Sequence, residues 1–159
     1  MTEPDVTYRG QVLAEWTDYN QHLRDAFYML IFSYAVDGFM DRIGLDEQGR
    51  SDSGHSLFTL EAHINYLAQA TAGDEVRVHS RVLGHDRKRV HLYCSLYREG
   101  SDELLAASEQ MLLHMDMAGP RSAPFAEAVA RRVAQFAELH RDLPRPQWCG
   151  RVLRLPDKG

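Results

Sequence analysis

The sequence predicts an α+β fold in which an antiparallel five-stranded sheet wraps one long buried helix, with a second helix near the C-terminus. Three observations lead there. A stretch of about twenty residues, from Arg24 to Ile43, is apolar on nearly every side. Four later segments alternate apolar and polar residues with period two, the mark of strands with one buried face. Short turns rich in Gly, Asp and Ser separate those segments, which favours antiparallel neighbours. With 159 residues the chain has room for one such core.

Taken in order, Val6 to Trp16 reads as the first strand, ending in the polar cluster Thr17-Asp18-Tyr19-Asn20-Gln21-His22. The helix follows, carrying Phe27, Tyr28, Leu30, Ile31, Phe32, Val36, Phe39 and Ile43, with Gly44 placed to end it. A helix without a polar face is buried all round, so the rest of the chain must enclose it. A Gly/Ser/Asp-rich loop, Asp46 to Gly54, leads to the strand Ser56–Leu67. There Phe58, Leu60, Ala62, Ile64 and Tyr66 form an apolar face opposite Thr59, Glu61, His63 and Asn65. Strands Glu75–Leu83, Lys88–Tyr97 and Leu104–Met115 complete the sheet, joined by turns at Gly84–Asp86 and Glu99–Asp102. Pro120 and Pro124 open an amphipathic helix, about Phe125 to His140, that Pro144 stops. Residues 1–144 thus read as the domain and 145–159 as an irregular tail. One helix enclosed by an antiparallel sheet is the hot-dog arrangement. A ferredoxin-like sandwich is the rival, but it needs a one-sided first helix.

Composition excludes several classes. Formal net charge is −5, which argues against nucleic acid as a partner. The longest apolar run, Ala26 to Phe32, has seven residues, against the ~20 that cross a bilayer. The N-terminus lacks the features of a signal peptide, and Cys94 and Cys149 form no CxxC pair, as suits a reducing cytoplasm. No HExxH or paired Cys/His spacing suggests a metal, no cofactor is expected, and no Gly-x-Ser-x-Gly elbow appears. From Arg121 onward eight basic residues face four acidic ones. That is either a solvated tail or a contact for an anionic ligand or partner.

The run Trp16-Thr-Asp18-Tyr-Asn-Gln-His22-Leu-Arg-Asp25-Ala-Phe-Tyr28 resembles the signature of 4-hydroxybenzoyl-CoA-type hot-dog thioesterases. Asp18, His22 and Tyr28 occupy matching positions. Gln21 stands where that family has Gly, and Arg24 and Asp25 where it has an Asn pair. Glu61 to Tyr66, continuing through Gly73-Asp74-Glu-Val, resembles the family's second strand and turn. Within the family, Glu15–Phe32, Ser53–Glu61 and Gly84–Arg89 look most like the thioesterases that accompany L-carnitine dehydrogenase and hydrolyse betainyl-CoA in carnitine breakdown. The resemblance implies an acyl-CoA substrate, a homodimer or homotetramer, and a site completed by the partner subunit's second strand.

The chemistry can be argued separately. Thioester hydrolysis needs a base or nucleophile near the carbonyl carbon and donors for the developing oxyanion. Asp18 could activate water or attack directly. It precedes a long helix whose first amides, near Asp25 and Ala26, carry partial positive charge. Asn20 and His22 share its loop, while Glu61 and Asn65 are candidates for a second acid–base or water-positioning group. An aspartate ahead of a helix also serves as an ordinary turn residue. Trp16, Tyr28 and Tyr66, with Tyr19, Phe27 and Phe32, supply aromatic faces for an acyl group, or simply core. Arg87, Lys88 and Arg89 follow a tight turn and are candidates for CoA phosphates, with Arg121 as a weaker one; a basic hairpin is otherwise a solubilised edge.

Two other functions stay open. Asp18-Tyr-Asn20-Gln-His22 superficially resembles the Asp-x-Asn-Pro-x-His of enoyl-CoA hydratases, but His arrives one residue early and Pro is absent. A non-catalytic acyl-CoA-binding module is the third reading.

Overall fold

The computed structural model describes residues 3–157. Five long strands form one antiparallel sheet: β1 (Val6–Gln11), β2 (His55–Tyr66), β3 (Glu75–His85), β4 (Arg89–Arg98) and β5 (Leu104–Asp116). Their order is β1-β3-β4-β5-β2, so β1 and β2 are the two edges. A two-residue strand, β6 (Arg121–Ser122), pairs with β5 where the chain doubles back. Helix α1 (Asp25–Ile43) lies in the curl of the sheet, α2 (Glu47–Ser53) follows it, and α3 (Glu127–Glu138) packs beside α1 and β3.

The core forms where α1 meets the inner face of the sheet. Ile31, Phe32, Ala35, Phe39 and Ile43 of α1 are fully enclosed, as are Val76, Val78, Val90, Leu92, Leu96 and Leu112 from the strands. Gly38 explains how closely helix and sheet approach. A Cβ there would sit 1.8 Å from the Thr7 carbonyl oxygen of β1, so only glycine fits.

Four expectations need correction. The first strand stops at Gln11, and Ala14–Trp16 form a 3₁₀ turn instead. Val12 still donates to the Asp74 carbonyl, but Trp16 and Thr17 donate back to Leu13 and Ala14, which closes the turn. The Asp46–Gly54 loop contains α2, capped by the Asp46 carboxylate on the Gly49 N–H and ended by Gly54 in the left-handed region. Asp as N-cap and Gly as C-cap outweighed a loop-like composition.

Helix α1 is also not buried all round: Ser33, Tyr34, Asp37 and Asp41 keep one strip in solvent. Finally, a bulge between Thr59 and Glu61 breaks the alternation of β2. Leu57, not Phe58, enters the core, and Phe58 and Leu60 are exposed; only beyond the bulge does Ile64 pack inward.

Candidate active site

The chain from Trp16 to Leu23 is a tight loop held between β1 and α1. Asp18 N–H donates to the His22 carbonyl at 2.9 Å, and Gln21 N–H donates to the Asp18 carbonyl at 2.9 Å. Oδ1 of Asp18 accepts the backbone N–H of Asn20 at 2.8 Å and of His22 at 3.2 Å. This is the local bonding for which Asp is favoured in turns. The loop needs one left-handed residue, and Gln21 supplies it with φ +63°. That is the position where the signature this run resembles has Gly, so the departure is accommodated at some strain.

Oδ2 of Asp18 makes no bond among the described residues. Loss of solvation pulls the carboxyl upward, but the Asn20 and His22 N–H groups, with positive charge from His22 and Arg24, outweigh it. The group is held below the usual carboxylate range. Asp18 is thus a fixed, ionised carboxylate with one oxygen spare.

The start of α1 lies next to this loop, since Arg24 N–H donates to the Trp16 carbonyl at 3.0 Å. Of the two expected oxyanion donors, Ala26 N–H is already taken by the Asp25 carboxylate at 2.8 Å. The Asp25 N–H has no acceptor among the described residues. Aromatic side chains surround the same turn. Trp16 stacks on Phe27 with centroids 6.1 Å apart, and Tyr28 meets Tyr66 edge-on at 5.1 Å. The Tyr66 hydroxyl donates to the Asp25 carbonyl at 3.1 Å, and Tyr28 donates to the Ala68 carbonyl at 3.0 Å. Both rings are therefore tied to the helix start. Phe32 is wholly core and Tyr19 stands 91% exposed, so neither joins the group.

Other predicted residues are not brought to Asp18 within one chain. Glu61, His63 and Asn65 pair with Met111, Glu109 and Ala107 of β5, on the sheet face away from α1. The Asn20 side chain makes no hydrogen bond among the described residues and is exposed. Arg87, Lys88 and Arg89 sit at the far end of β3, whose eleven residues span about 36 Å. There Arg89 is paired with Asp86, with N–O distances of 2.6 and 2.8 Å. Lys88 Nζ reaches Ser122 Oγ at 3.4 Å, while the Arg87 side chain has no partner among the described residues. Arg121 lies 3.9 Å from Asp116. Cys94 is buried with its thiol pushed up to about 12 by desolvation, so it is no nucleophile.

Sequence reasoning missed a polar stripe on the inner face of β5. Ser108, Gln110 and His114 are buried, and Ser108 Oγ, both polar side-chain atoms of Gln110 and His114 Nε2 have no partner among the described residues. Native cores rarely leave such groups bare. The signal was there in the sequence: in Ala107-Ser-Glu-Gln-Met, polar residues occupy both faces of one strand.

A family model described as the thioesterase-like superfamily matches residues 12–133, and the chain belongs to that family. It is an acyl-CoA thioester hydrolase of the hot-dog fold, and this decides among the three functions the sequence left open. Among relatives, the betainyl-CoA thioesterase of Pseudomonas aeruginosa is 56% identical over 156 residues, covering 98% of each chain. The L-carnitine dehydrogenase/betainyl-CoA thioesterase of Ruegeria pomeroyi is 35% identical across 98% of this chain, which spans 31% of that protein. Among solved structures, one from Pseudomonas putida KT2440 superposes with a TM-score of 0.83 at 54% identity, covering 95% of this chain and 96% of that one. A Staphylococcus aureus protein in complex with CoA gives 0.87 at 30% identity, with the same coverage.

Proposed function

We propose that this hydrolase cleaves betainyl-CoA, with Asp18 as the base. The observation that carries the reading is the spare Oδ2 of a fixed, ionised Asp18 at the start of α1, beside the Trp16–Phe27 stack. Oδ2 takes a proton from water as its oxygen adds to the thioester carbon. The carbonyl oxygen becomes an oxyanion facing the Asp25 N–H and the positive end of α1. Collapse breaks the C–S bond, Asp18 returns the proton to the departing thiolate, and betaine and CoA leave. The acyl group carries a trimethylammonium, a cation with no donor hydrogens, which aromatic faces hold best. Trp16, Phe27 and Tyr66 are the faces at hand. The names of the relatives at 56% and 35% identity support that choice of acyl group.

The working enzyme is a homodimer joined along β2, and a tetramer is a pair of such dimers. This strand is an unpaired edge of twelve residues with Phe58, Leu60 and Tyr66 exposed, an edge that soluble proteins seldom leave open. Its Tyr66 end adjoins the Asp18 loop, and its His55 end adjoins the basic hairpin, through the His114 N–H bond to the Lys88 carbonyl. Two-fold pairing sets those ends side by side. The Arg87 and Lys88 of one subunit then approach the Asp18 site of the other, where CoA phosphates need cations. The same pairing leaves Glu61 and Asn65 on the outer face, so neither is assigned a catalytic role. The free thiols Cys94 and Cys149 fit a cytoplasmic setting.

Thiol release from betainyl-, short-chain, branched and aromatic acyl-CoAs tests the reading. Betainyl-CoA should give the highest kcat/KM; preference for a neutral acyl group would displace it.

A further inference from the structure

We propose that the C-terminal arm, Val152 to Leu155, crosses the β2 edge and grips a second copy of this chain. The inference rests on the β2 pairing proposed above and goes beyond it, since nothing in that pairing requires the arm.

The path of the tail carries the argument. On the outer face of the sheet, Arg81 of β3 faces Tyr93 of β4, Tyr93 faces Glu109 of β5, and Glu109 faces His63 of β2. These four residues form a row perpendicular to the strands, running toward the β2 edge. The tail follows that row. Arg81 holds the carbonyls of Leu143 and Pro144 at 2.9 and 2.8 Å. Trp148 and Cys149 then pack with Tyr93 and Ala107. Gly150 N–H donates to the Glu109 carboxylate at 2.9 Å; the same carboxylate meets His91 of β4 at 2.9 Å and lies 3.9 Å from His63 on the edge strand.

Arg151 folds back over the Trp148 ring, 4.8 Å from its centroid, so the free arm begins at Val152. One strand-to-strand step is about 4.8 Å, and four extended residues cover ~13 Å. The arm is therefore long enough to pass β2 and reach the next strand. Val152, Leu153 and Leu155 are 78%, 94% and 88% exposed, which is an unusual state for three aliphatic residues in four.

The occupant beyond the edge is a second copy, because the edge is an unpaired strand of this same sheet and its continuation is another β2. That strand offers what the arm lacks. On its outer side stands exposed Phe58, with exposed Leu60 at the bulge two residues on, for the aliphatic residues, and the exposed carboxylate of Glu61 for Arg154. A two-fold axis makes the exchange reciprocal.

Two variants test this: Val152→Asp/Leu153→Asp/Leu155→Asp, and a chain ended after Gly150. Dimer dissociation is read by sedimentation velocity across nanomolar to micromolar concentrations. Both variants should weaken the dimer roughly a hundredfold, the scale expected for uncovering three aliphatic side chains. Turnover per dimer, measured where dimer persists, should stay within about twofold. A dimer unchanged in both variants overturns the arm alone. An unmodified chain that stays monomeric at tens of micromolar overturns the arm and the β2 pairing together. As a second measurement, chains carrying Leu153→Cys are mixed with chains carrying Phe58→Cys and treated with a short bis-maleimide. A cross-link between chains is expected; its absence in a dimer counts against the arm.

Discussion

Asp18 and Asp86 close two loops with the same device, yet they finish with different chemistry. In each, one oxygen accepts two backbone N–H groups: Asn20 and His22 for Asp18, Lys88 and Arg89 for Asp86. At Asp86 the second oxygen is spent on the Arg89 guanidinium. That hydrogen bond, helped by the Lys88 and Arg89 N–H groups, lowers the carboxyl to about 2. At Asp18 the second oxygen has no partner among the described residues, and the nearest structure is the start of a long helix rather than a hairpin tip. The turn alone does not distinguish a structural aspartate from a reactive one. The fate of the second oxygen does.

The contrast can be broken most sharply by exchanging each carboxylate for an amide. Asn keeps an acceptor oxygen for the two N–H bonds, so both loops should survive. Asp18→Asn should lower kcat by ~10²-fold or more, the usual scale for a lost base, with the circular dichroism spectrum unchanged. Asp86→Asn should leave kcat within about twofold. Equal losses in the two variants would mean that loop geometry, not the spare oxygen, supports turnover.

The next effect sharpens what surrounds Asp18. Trp16→Leu should raise KM for betainyl-CoA about tenfold, because a desolvated cation–π contact contributes ~1–2 kcal/mol. For 3,3-dimethylbutanoyl-CoA, the same shape without the charge, KM should barely move. Parallel losses on both esters would make Trp16 a wall of the pocket rather than a partner for the cation.

What the sequence revealed follows the same division between local and remote information. The wrapped-helix architecture was legible because period-two runs such as Val76 to Val82 and Val90 to Leu96 state their buried face directly. The Asp18 turn was legible because its loop is made by neighbours within four residues. The β2 face was not, since a bulge at Leu60 reverses side-chain direction without any Gly or Pro to announce it. The basic hairpin was correctly read as a turn, but its position depends on where an eleven-residue strand carries it. Its loss of a free Arg89 came from Asp86, three residues away and in plain view. Gln110 was missed because a polar residue on an inner face looks the same in sequence as one on an outer face.

The smallest effect is a displacement along the pH axis. Because the Asp18 carboxyl is held below its ordinary 3.8 in the folded enzyme, it stays ionised as pH falls through that value. The acid limb of kcat/KM should therefore lie below 3.8, provided the fold persists. Asp5 bears on that condition. The His79 hydrogen bond lowers it, against desolvation and with help from His140, to about 2. A depressed carboxylate stabilises the fold fully above the unfolded value of 3.8, and its contribution declines between there and about 2. The window for the measurement is thus narrow, and unfolding followed by circular dichroism at each pH separates loss of fold from loss of base. Asp5→Asn should shift the acid unfolding midpoint upward while leaving kcat at pH 7 within about twofold. An activity limb centred in the imidazole range, with the fold intact, would transfer the base from Asp18 to a histidine and remove the chemical distinction between the two aspartate loops.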